Sequence, residues 1–245
     1  MLLQLHDLHL SFFDKLVFQG VSLTVHPGDR IALVGENGSG KTTLFRVILG
    51  AVKPDRGDVA VRTGCSIGYL EQEAIAASGE AETTCLDAAL AAFSHLLALE
   101  ARIDQLNHAL AQSAALFGHS GMEQLLGELG EAMAAYEAGG GYTYRARAEA
   151  TLQGLGLSPE AWSKPIAALS SGKRARLALA RLLLGRYDVL LLDEPTNHLD
   201  AGAREWLAGA LRELDAAYVV ASHDRRFLDE VATKVAHLDR GSLTV

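Results

Sequence analysis

The sequence predicts an α/β protein whose core is a mostly parallel β-sheet covered by helices on both faces. Three short apolar runs have the length of buried strands: Ile31–Val34, Val189–Asp193 and Tyr218–Ser222. Each is followed by a segment that reads as a helix, and alternating strands and helices are typical of parallel sheets. With 245 residues, 49% of them hydrophobic, the chain can bury the core that such a sheet requires.

The first residues predict an antiparallel β subdomain that precedes the core sheet. A strand with one buried face is indicated by apolar residues interleaved with polar ones, namely Leu3, Leu5, Leu8 and Leu10. A second strand is predicted at Val17–Val25, and the turn His26–Asp29 follows it. Two further short strands are predicted at Asp58–Val61 and Ser66–Leu70.

A glycine-rich loop lies between the strand Ile31–Val34 and a predicted helix at Thr42–Leu49. Its sequence, Gly-Glu-Asn-Gly-Ser-Gly-Lys-Thr, matches the phosphate-binding pattern G-x-x-x-x-G-K-[ST]. The glycines let backbone N–H groups point at phosphate oxygens, and the helix adds its positive N-terminal end. We expect Lys41 to reach the β- and γ-phosphates of ATP and the Thr42 hydroxyl to bind Mg²⁺. The predicted ATP-binding residues of this loop are Gly35, Asn37, Gly38, Ser39, Gly40, Lys41, Thr42 and Thr43.

Two adjacent carboxylates stand at the end of the apolar strand Val189–Asp193. We expect Asp193 to bind Mg²⁺ and Glu194 to act as the general base, or the orienting group, for an attacking water. The alternative for Glu194, a charge at a helix N-terminus, is disfavoured because Pro195 intervenes. His223 follows the strand Tyr218–Ser222 and is a candidate γ-phosphate sensor, with a purely structural histidine as the open alternative.

The middle of the chain predicts a helical subdomain over residues 73–186 with a hairpin at 84–138. Two stripes with helical spacing carry this prediction: apolar residues at 86, 89, 93, 96, 99, 103, 106 and 110, then Met122, Leu125, Leu126, Leu129, Met133 and Tyr136. A break at 117–121 separates them, Gly139–Gly141 ends the hairpin, and a helix of about 27 residues would project about 40 Å. A compact helical lobe packed on the core is the alternative.

The remaining elements complete the alternating pattern. Helices are predicted at Tyr144–Gln153, at Ala201–Leu214 and at Arg225–Val231. A further helix, rich in Arg, Ala and Leu, follows Lys173 and ends at Gly185, and a short hairpin is predicted at Lys234–Val245. Residues 1–72 and 187–245 would then form the nucleotide-binding core of a single 1–245 domain.

Composition narrows the classes of partner. The net charge is −8, and between Thr63 and Tyr144 eleven Asp and Glu accompany a single Lys or Arg, namely Arg102, so no general nucleic-acid surface is indicated. The cysteines Cys65 and Cys85 form no metal motif and indicate free thiols in a reducing compartment. No apolar run reaches the roughly 18–20 residues that span a bilayer, and no basic segment starts a signal peptide. We expect a cytoplasmic protein without a transmembrane segment of its own.

Six elements follow one another along the chain: Phe12, the loop 35–42, Gln72, Leu169-Ser-Ser-Gly-Lys173, the acidic strand 189–194, and Ser222-His223-Asp224. This is the order of an ATP-binding-cassette (ABC) domain, and nearly the whole chain resembles that family of P-loop NTPases.

This resemblance implies further roles. Phe12, or its neighbour Phe13, would stack on adenine, and Gln72 would contact both Mg²⁺ and the attacking water. The catalytic set would be Gln72, Glu194 and His223, and the metal set Thr42, Gln72 and Asp193. The signature segment Ser170, Ser171 and Gly172 would bind the γ-phosphate of ATP held by an opposite cassette.

Four further segments narrow the resemblance: Asp193–Asp200 (Asp-Glu-Pro-Thr-Asn-His-Leu-Asp), Ser222–Arg225, Glu205–Leu207 and Tyr136–Leu157. They are similar to the ABC-F group of that family, and the helical hairpin resembles the arm insertion of that group. Members usually carry two cassettes, and many act on ribosomes as translation or antibiotic-resistance factors. The resemblance therefore implies a ribosome-directed ATPase. A nucleotide-binding subunit of a membrane transporter and an ABC protein of DNA repair are the alternatives.

Three departures from the family pattern shape the expectations. Only one cassette is present, so a second cassette, either an identical chain or a missing half, is expected to complete the active site. The signature has Ser171 where glycine is usual and Lys173 where glutamine or glutamate is usual. The arm is acidic, which favours contacts with protein over RNA.

Overall fold

Two β-sheets enclose the helix that follows the glycine-rich loop. The computed structural model describes residues 1–13, 15–70, 82–113 and 119–245, so the predicted site residue Gln72 lies outside the described residues. The strands are β1 (Leu3–Phe12), β2 (Lys15–Val25), β3 (Arg30–Val34), β4 (Arg56–Val61), β5 (Ile67–Leu70), β6 (Val189–Asp193), β7 (Ala217–Ala221), β8 (Lys234–Asp239) and β9 (Ser242–Thr244). The helices are α1 (Lys41–Ile48), α2 (Cys85–Leu90), α3 (Ser94–Ser113), α4 (His119–Ala138), α5 (Tyr144–Gly154), α6 (Pro159–Trp162), α7 (Ser171–Leu184), α8 (Ala201–Glu213) and α9 (Arg225–Val231).

The strand pairing confirms the predicted fold class. One sheet has the order β2-β1-β4 and is antiparallel, as expected for the N-terminal subdomain. The core sheet has the order β5-β6-β7-β3-β8-β9, and its neighbours pair in parallel except β8 with β9. All five residues of β6 are buried, because this strand lies inside the sheet with packed layers on both faces.

Alternate side chains of β6 pack into two different hydrophobic clusters. Val189 and Leu191 point into a cluster with α1 and the antiparallel sheet, whereas Leu190 and Leu192 belong to a cluster built by α7, α8 and α9. The apolar run is therefore continuous in sequence even though each face follows the strand period of two. The core sheet thus lies between two hydrophobic layers.

Parallel pairing brings three strand ends to the same edge of the core sheet. The glycine-rich loop follows β3, Glu194 follows β6, and Ser222 and His223 follow β7, which lies between the other two strands. Residues that are far apart in the chain are therefore close in space.

The helices α3 and α4 form an antiparallel hairpin. Arg102 of α3 makes an ion pair with Glu128 of α4, while a methyl group added at Gly139 would touch Leu96, so the chains run in opposite directions. The first predicted stripe is largely confirmed, since Phe93, Leu96 and Leu106 are buried and most of its other members are partly buried.

Part of the second stripe was predicted wrongly. Leu126 and Met133 are 52% and 44% exposed, and Ala132 is the buried residue of α4 instead. The helix begins at His119, within the predicted break. The other members of the stripe, Met122, Leu125, Leu129 and Tyr136, are partly buried. A 3₁₀ turn at Ala91–Phe93 separates α2 from α3, so the longest hairpin helix has 20 residues. Its length is about 30 Å instead of the predicted 40 Å or so.

The base of the hairpin belongs to the hydrophobic core. Cys85, Ala89, Phe93 and Leu96 are buried in the same cluster as α5 and α7. The Tyr144 hydroxyl donates to Glu100 at 2.7 Å, which ties α5 to α3 at this level. We propose that the separable part of the arm is narrower than the expected 84–138 and spans about residues 102–133. None of the described helices has the length and apolar character needed to cross a bilayer.

We expect residues 102–133 to be replaceable by a linker of about six Gly and Ser residues, since neighbouring helix axes are only ~8–10 Å apart. The shortened protein should keep a single cooperative thermal transition, measured by circular dichroism. Replacing 85–138 is the matched control. It should abolish cooperative folding, because losing one buried phenylalanine such as Phe93 alone costs about 3–5 kcal/mol. Unfolding of the shorter replacement would contradict a separable arm.

Candidate active site

Glycine is required in the loop after β3 for two different reasons. A Cβ atom added at Gly35 would lie 2.4 Å from the carbonyl oxygen of Leu238, so any side chain would clash with backbone. Gly40 has a φ of +108° and Gly38 a φ of +77°, values that favour glycine. The loop conformation therefore depends on the glycines that the sequence pattern selected.

The loop holds one cation and one unpaired hydroxyl. Lys41 is buried, and its ammonium donates to the carbonyl oxygens of Gly35 and Glu36 at 2.8 and 3.1 Å. Ser39 Oγ is buried and has no hydrogen-bond partner among the described residues. A buried hydroxyl without a partner is costly, and a phosphate oxygen seated on the loop would satisfy it. The loop therefore fits a phosphate group.

Thr42 and Asp193 meet where α1 begins and β6 ends. The Thr42 hydroxyl donates to Asp193 Oδ2 at 2.6 Å, and Asp193 is 2% exposed. In the part of the chain that the structure describes, no three His, Cys, Asp or Glu side chains are grouped to hold a metal. Hydroxyl and carboxylate oxygens nevertheless suit Mg²⁺, which is commonly held by one or two protein ligands together with substrate phosphates. This pair fits that mode of binding.

Glu194 has a constrained backbone and a shielded carboxylate. Its φ is +51°, and its N–H donates to the carbonyl oxygen of Ala221 at 2.8 Å. Burial raises the pKa of Glu194, while His223 is the main influence that lowers it. Oε2 accepts from the His223 N–H at 3.3 Å, and Oε1 lies 3.1 Å from His223 Nε2 but outside hydrogen-bond geometry. Oε1 is thus a buried acceptor without a hydrogen-bond partner among the described residues.

Most of the predicted ATP-binding and catalytic residues line one cavity of about 530 Å³. The predicted residues among its walls are Phe12, Asn37, Gly38, Gly40, Lys41, Thr42, Thr43, Asp193, Glu194 and His223. Phe12 is 45% exposed at the rim, whereas Phe13 is fully exposed and does not line the cavity, so the structure favours Phe12 for an adenine contact. Gly35 and Ser39, the other two predicted residues of the loop, do not line the cavity.

Three further residues line the cavity, and no sequence pattern pointed to them as nucleotide contacts. Lys15, Val17 and Asn197 join its walls. Lys15 opens β2 three residues after Phe12, so the strand pairing of β1 with β2 could have indicated its position. Asn197 follows Glu194 in a turn in which its N–H donates to the Glu194 carbonyl oxygen at 3.1 Å.

The signature segment does not line this cavity. Ser170 caps α7, where its hydroxyl accepts from the Lys173 N–H at 3.4 Å. Ser171 is exposed, and a Cβ added at Gly172 would make an ordinary contact of 3.5 Å with His198. The predicted signature residues therefore stand apart from the predicted ATP-binding residues of the same chain.

Comparison with known proteins assigns the chain to a family. The family model described as ABC transporter matches residues 18–197. The chain is 33% identical to the uncharacterized ABC transporter ATP-binding protein YfmM of Bacillus subtilis, over 99% of this chain and 46% of that protein. It is 36% identical to the tylosin resistance ATP-binding protein TlrC of Streptomyces fradiae, over 97% and 42%. It is 38% identical to the energy-dependent translational throttle protein EttA of Escherichia coli K12, over 92% and 39%. The chain thus spans less than half the length of these relatives.

Solved structures share the fold. An ATP-binding subunit of an ABC transporter superposes with a TM-score of 0.69 at 19% identity, covering 100% of this chain and 89% of that one. The ATP-binding cassette MJ0796, solved as a dimer bound to ADP and Pi, gives 0.67 at 19% identity, covering 99% and 97%. Because the family model matches most of its length, the chain belongs to the ABC transporter family, as an ABC ATPase domain that resembles those of the ABC-F group.

Proposed function

We propose that this chain binds ATP with Mg²⁺ and hydrolyses it to ADP and phosphate. The observation that carries the proposal is the placement of Asp193 and Glu194 opposite the phosphate-binding loop in one cavity. Phe12 would contact the adenine, and Lys41 with the loop N–H groups would bind the phosphates. Thr42 and Asp193 would hold Mg²⁺, with Gln72 as a further proposed ligand, and the ion would neutralise charge on the phosphate oxygens.

Glu194 is the proposed general base. Its ionised carboxylate would accept a proton from the attacking water, and its raised pKa makes it a better proton acceptor than an ordinary glutamate. His223 lies beside it and would contact the γ-phosphate through the imidazole, as the predicted sensor. Because Glu194 sits on a constrained turn, its carboxylate is positioned before substrate arrives.

We propose that a second cassette completes the site. Ser170, Ser171 and Gly172 lie outside the cavity that Lys41 lines. One chain would therefore bind one nucleotide through its phosphate loop and a second nucleotide through its signature segment. The related cassette MJ0796 was solved as a dimer, which supports pairing in this family. The partner would be an identical chain or a cassette in a longer protein, head to tail.

We further propose a cytoplasmic, ATP-switched factor that acts on the ribosome. The names of two relatives, one a translational throttle and one a tylosin resistance protein, support this proposal. The alternative is a nucleotide-binding subunit of a membrane transporter, supported by the family description and by one structural neighbour. The hairpin α3–α4 and the sequence Asn197-His198 favour the ribosomal factor.

Glu194→Gln should leave ATP binding near the wild-type level and lower kcat by at least ~10²-fold, since a positioned base contributes that much. Binding is measured with a fluorescent ATP analogue and turnover by phosphate release. Near-normal turnover would remove Glu194 from the role of base.

Lys41→Ala should instead weaken ATP binding itself by ~10-fold or more. This ammonium contacts phosphates in the ground state as well as in the transition state, so its loss affects both. Equal affinity of Lys41→Ala and wild type for the same analogue would contradict the placement of the phosphates.

Specific ATPase activity should rise with protein concentration, or stay near zero throughout if the missing partner is a different cassette, because pairing through bound ATP follows mass action. The measurement is turnover per chain over a dilution series, with the oligomeric state followed by light scattering. Constant activity at dilutions where the protein is monomeric would show that one chain holds a complete site.

The arm should contact protein more than RNA if the chain binds ribosomes. Its single basic residue, Arg102, is already paired with Glu128, and so offers little to phosphates. A photo-crosslinking amino acid at the exposed Leu126 should label ribosomal protein, whereas one at the exposed Val61 on β4 serves as the control and should label little. Crosslinks mainly to RNA would contradict this prediction.

A further inference from the structure

Arg176 of α7 connects two backbone segments that are separate in sequence. Its Nε and Nη2 both donate to the carbonyl oxygen of His198, at 2.9 and 2.5 Å. Its Nη1 donates to the carbonyl oxygens of Leu155 and Gly156, each at 3.3 Å. One guanidinium therefore joins α7, the end of α5 and the loop that follows β6.

The surroundings are shaped for an arginine. A Cβ added at Gly156, whose φ is +74°, would lie 2.5 Å from Arg176 Nη1, so a side chain there would displace the guanidinium. Arginine spreads five N–H donors over a planar fork, whereas the compact ammonium of lysine cannot reach acceptors on both sides. The Asp200 carboxylate is 3.9 Å away and 66% exposed, so charge pairing contributes little. The interaction of Arg176 with the backbone therefore depends on the shape of the guanidinium more than on its charge.

His198 ends the turn that begins at Glu194. The Asn197 N–H donates to the carbonyl oxygen of Glu194 at 3.1 Å, and the Leu199 N–H donates to that of Thr196 at 3.2 Å. Glu194 and His198 have φ values of +51° and +65°, which are uncommon for residues other than glycine. Arg176 supplies two of the hydrogen bonds that hold the His198 end.

The same helix carries the signature segment at its N-terminus. Ser170 caps α7 six residues before Arg176, a rise of about 9 Å along the axis. Gly172 lies next to His198, where an added Cβ would be 3.5 Å from the His198 Cβ. Movement of the signature segment would therefore be passed to the loop behind Glu194 through the hydrogen bonds that Arg176 donates to His198.

We propose that Arg176 is a positioning residue that couples the signature segment, and hence nucleotide on the opposite cassette, to the catalytic Glu194 of its own site. This rests on the proposed function, in which the signature segment meets the second nucleotide. When Ser170 binds that nucleotide, α7 is fixed, and Arg176 then fixes the His198 end of the turn that presents Glu194. Each site is thereby set for hydrolysis by occupancy of the other.

The first measurement tests the mechanical link without relying on activity. In the full chain, Arg176→Lys should speed hydrogen exchange of the Asn197 and Leu199 amides by at least ~10-fold, because bonds from a charged donor are lost. Exchange in α1 should stay at the wild-type level. Arg186→Lys is the matched control, since Arg186 also donates to a backbone carbonyl, that of Gly139 at 3.4 Å, but away from this turn. Unchanged exchange in Arg176→Lys would overturn the inference.

The second measurement tests the consequence for turnover, at protein concentrations where wild type is active, with a second cassette supplied if the chain alone is not. Arg176→Lys should lower kcat by at least ~10-fold while KM changes by less than about 2-fold, the pattern of an interaction made in the transition state. In a Glu194→Gln background the same change should cost no further activity, because Arg176 acts through Glu194.

The possible results distinguish failure of the coupling from failure of the proposed function. Faster exchange with unchanged kcat would make Arg176 merely structural and overturn the coupling. An equal loss of kcat in the Arg186→Lys control would overturn it too. A wild-type chain that turns over no ATP with any second cassette would overturn the proposed function and this inference with it, whatever the exchange measurement shows.

Discussion

The parallel pairing of β6, β7 and β3 is the constraint on which the rest of the site depends. Because β7 pairs with both neighbours, the ends of three strands separated by up to about 190 residues in the chain stay at one edge of the sheet. The Thr42 to Asp193 hydrogen bond of 2.6 Å joins the end of β6 to the start of α1, which follows β3 through the glycine-rich loop. A register slip of one residue in β6 would turn Asp193 to the other face of the sheet and separate it from Thr42.

The electrostatics of this edge depend on the burial of the Asp193 and Glu194 carboxylates and on their partners. Asp193 is buried against the Thr42 hydroxyl, whereas Glu194 has only partial compensation from His223, so burial raises the pKa of Glu194. Adjacent residues of one strand end thus have different chemistry: Asp193 is suited to a cation and Glu194 to a proton. The left-handed backbone of Glu194 is what turns its side chain from the strand towards the cavity.

The sequence predicted what short-range patterns determine. A buried strand such as β6 is a short, continuous apolar run, and the phosphate loop has glycines at fixed positions. These local features are enough to assign both elements their places in the fold. Leu126 and Met133 show the limit, because an apolar stripe says which face is hydrophobic but not how much of it another helix covers. In α4, Ala132 is buried, Leu126 and Met133 stay exposed, and the other apolar members of the stripe are partly buried. The Arg176 contacts could not be predicted either, since they go to backbone carbonyls, which any residue provides.

The altered signature is compatible with a working phosphate contact. Ser170 uses an oxygen lone pair to accept the Lys173 N–H, so its own proton remains free for a phosphate oxygen. Ser171 is exposed on the first turn of α7, and its added side chain points to solvent in this chain instead of filling the helix N-terminus. Lys173 contributes its backbone N–H to the cap, and its ammonium adds positive charge to a segment that would face an anion. The serine and lysine thus change the charge and bulk of the signature segment without removing the donors on which anion binding at a helix N-terminus relies.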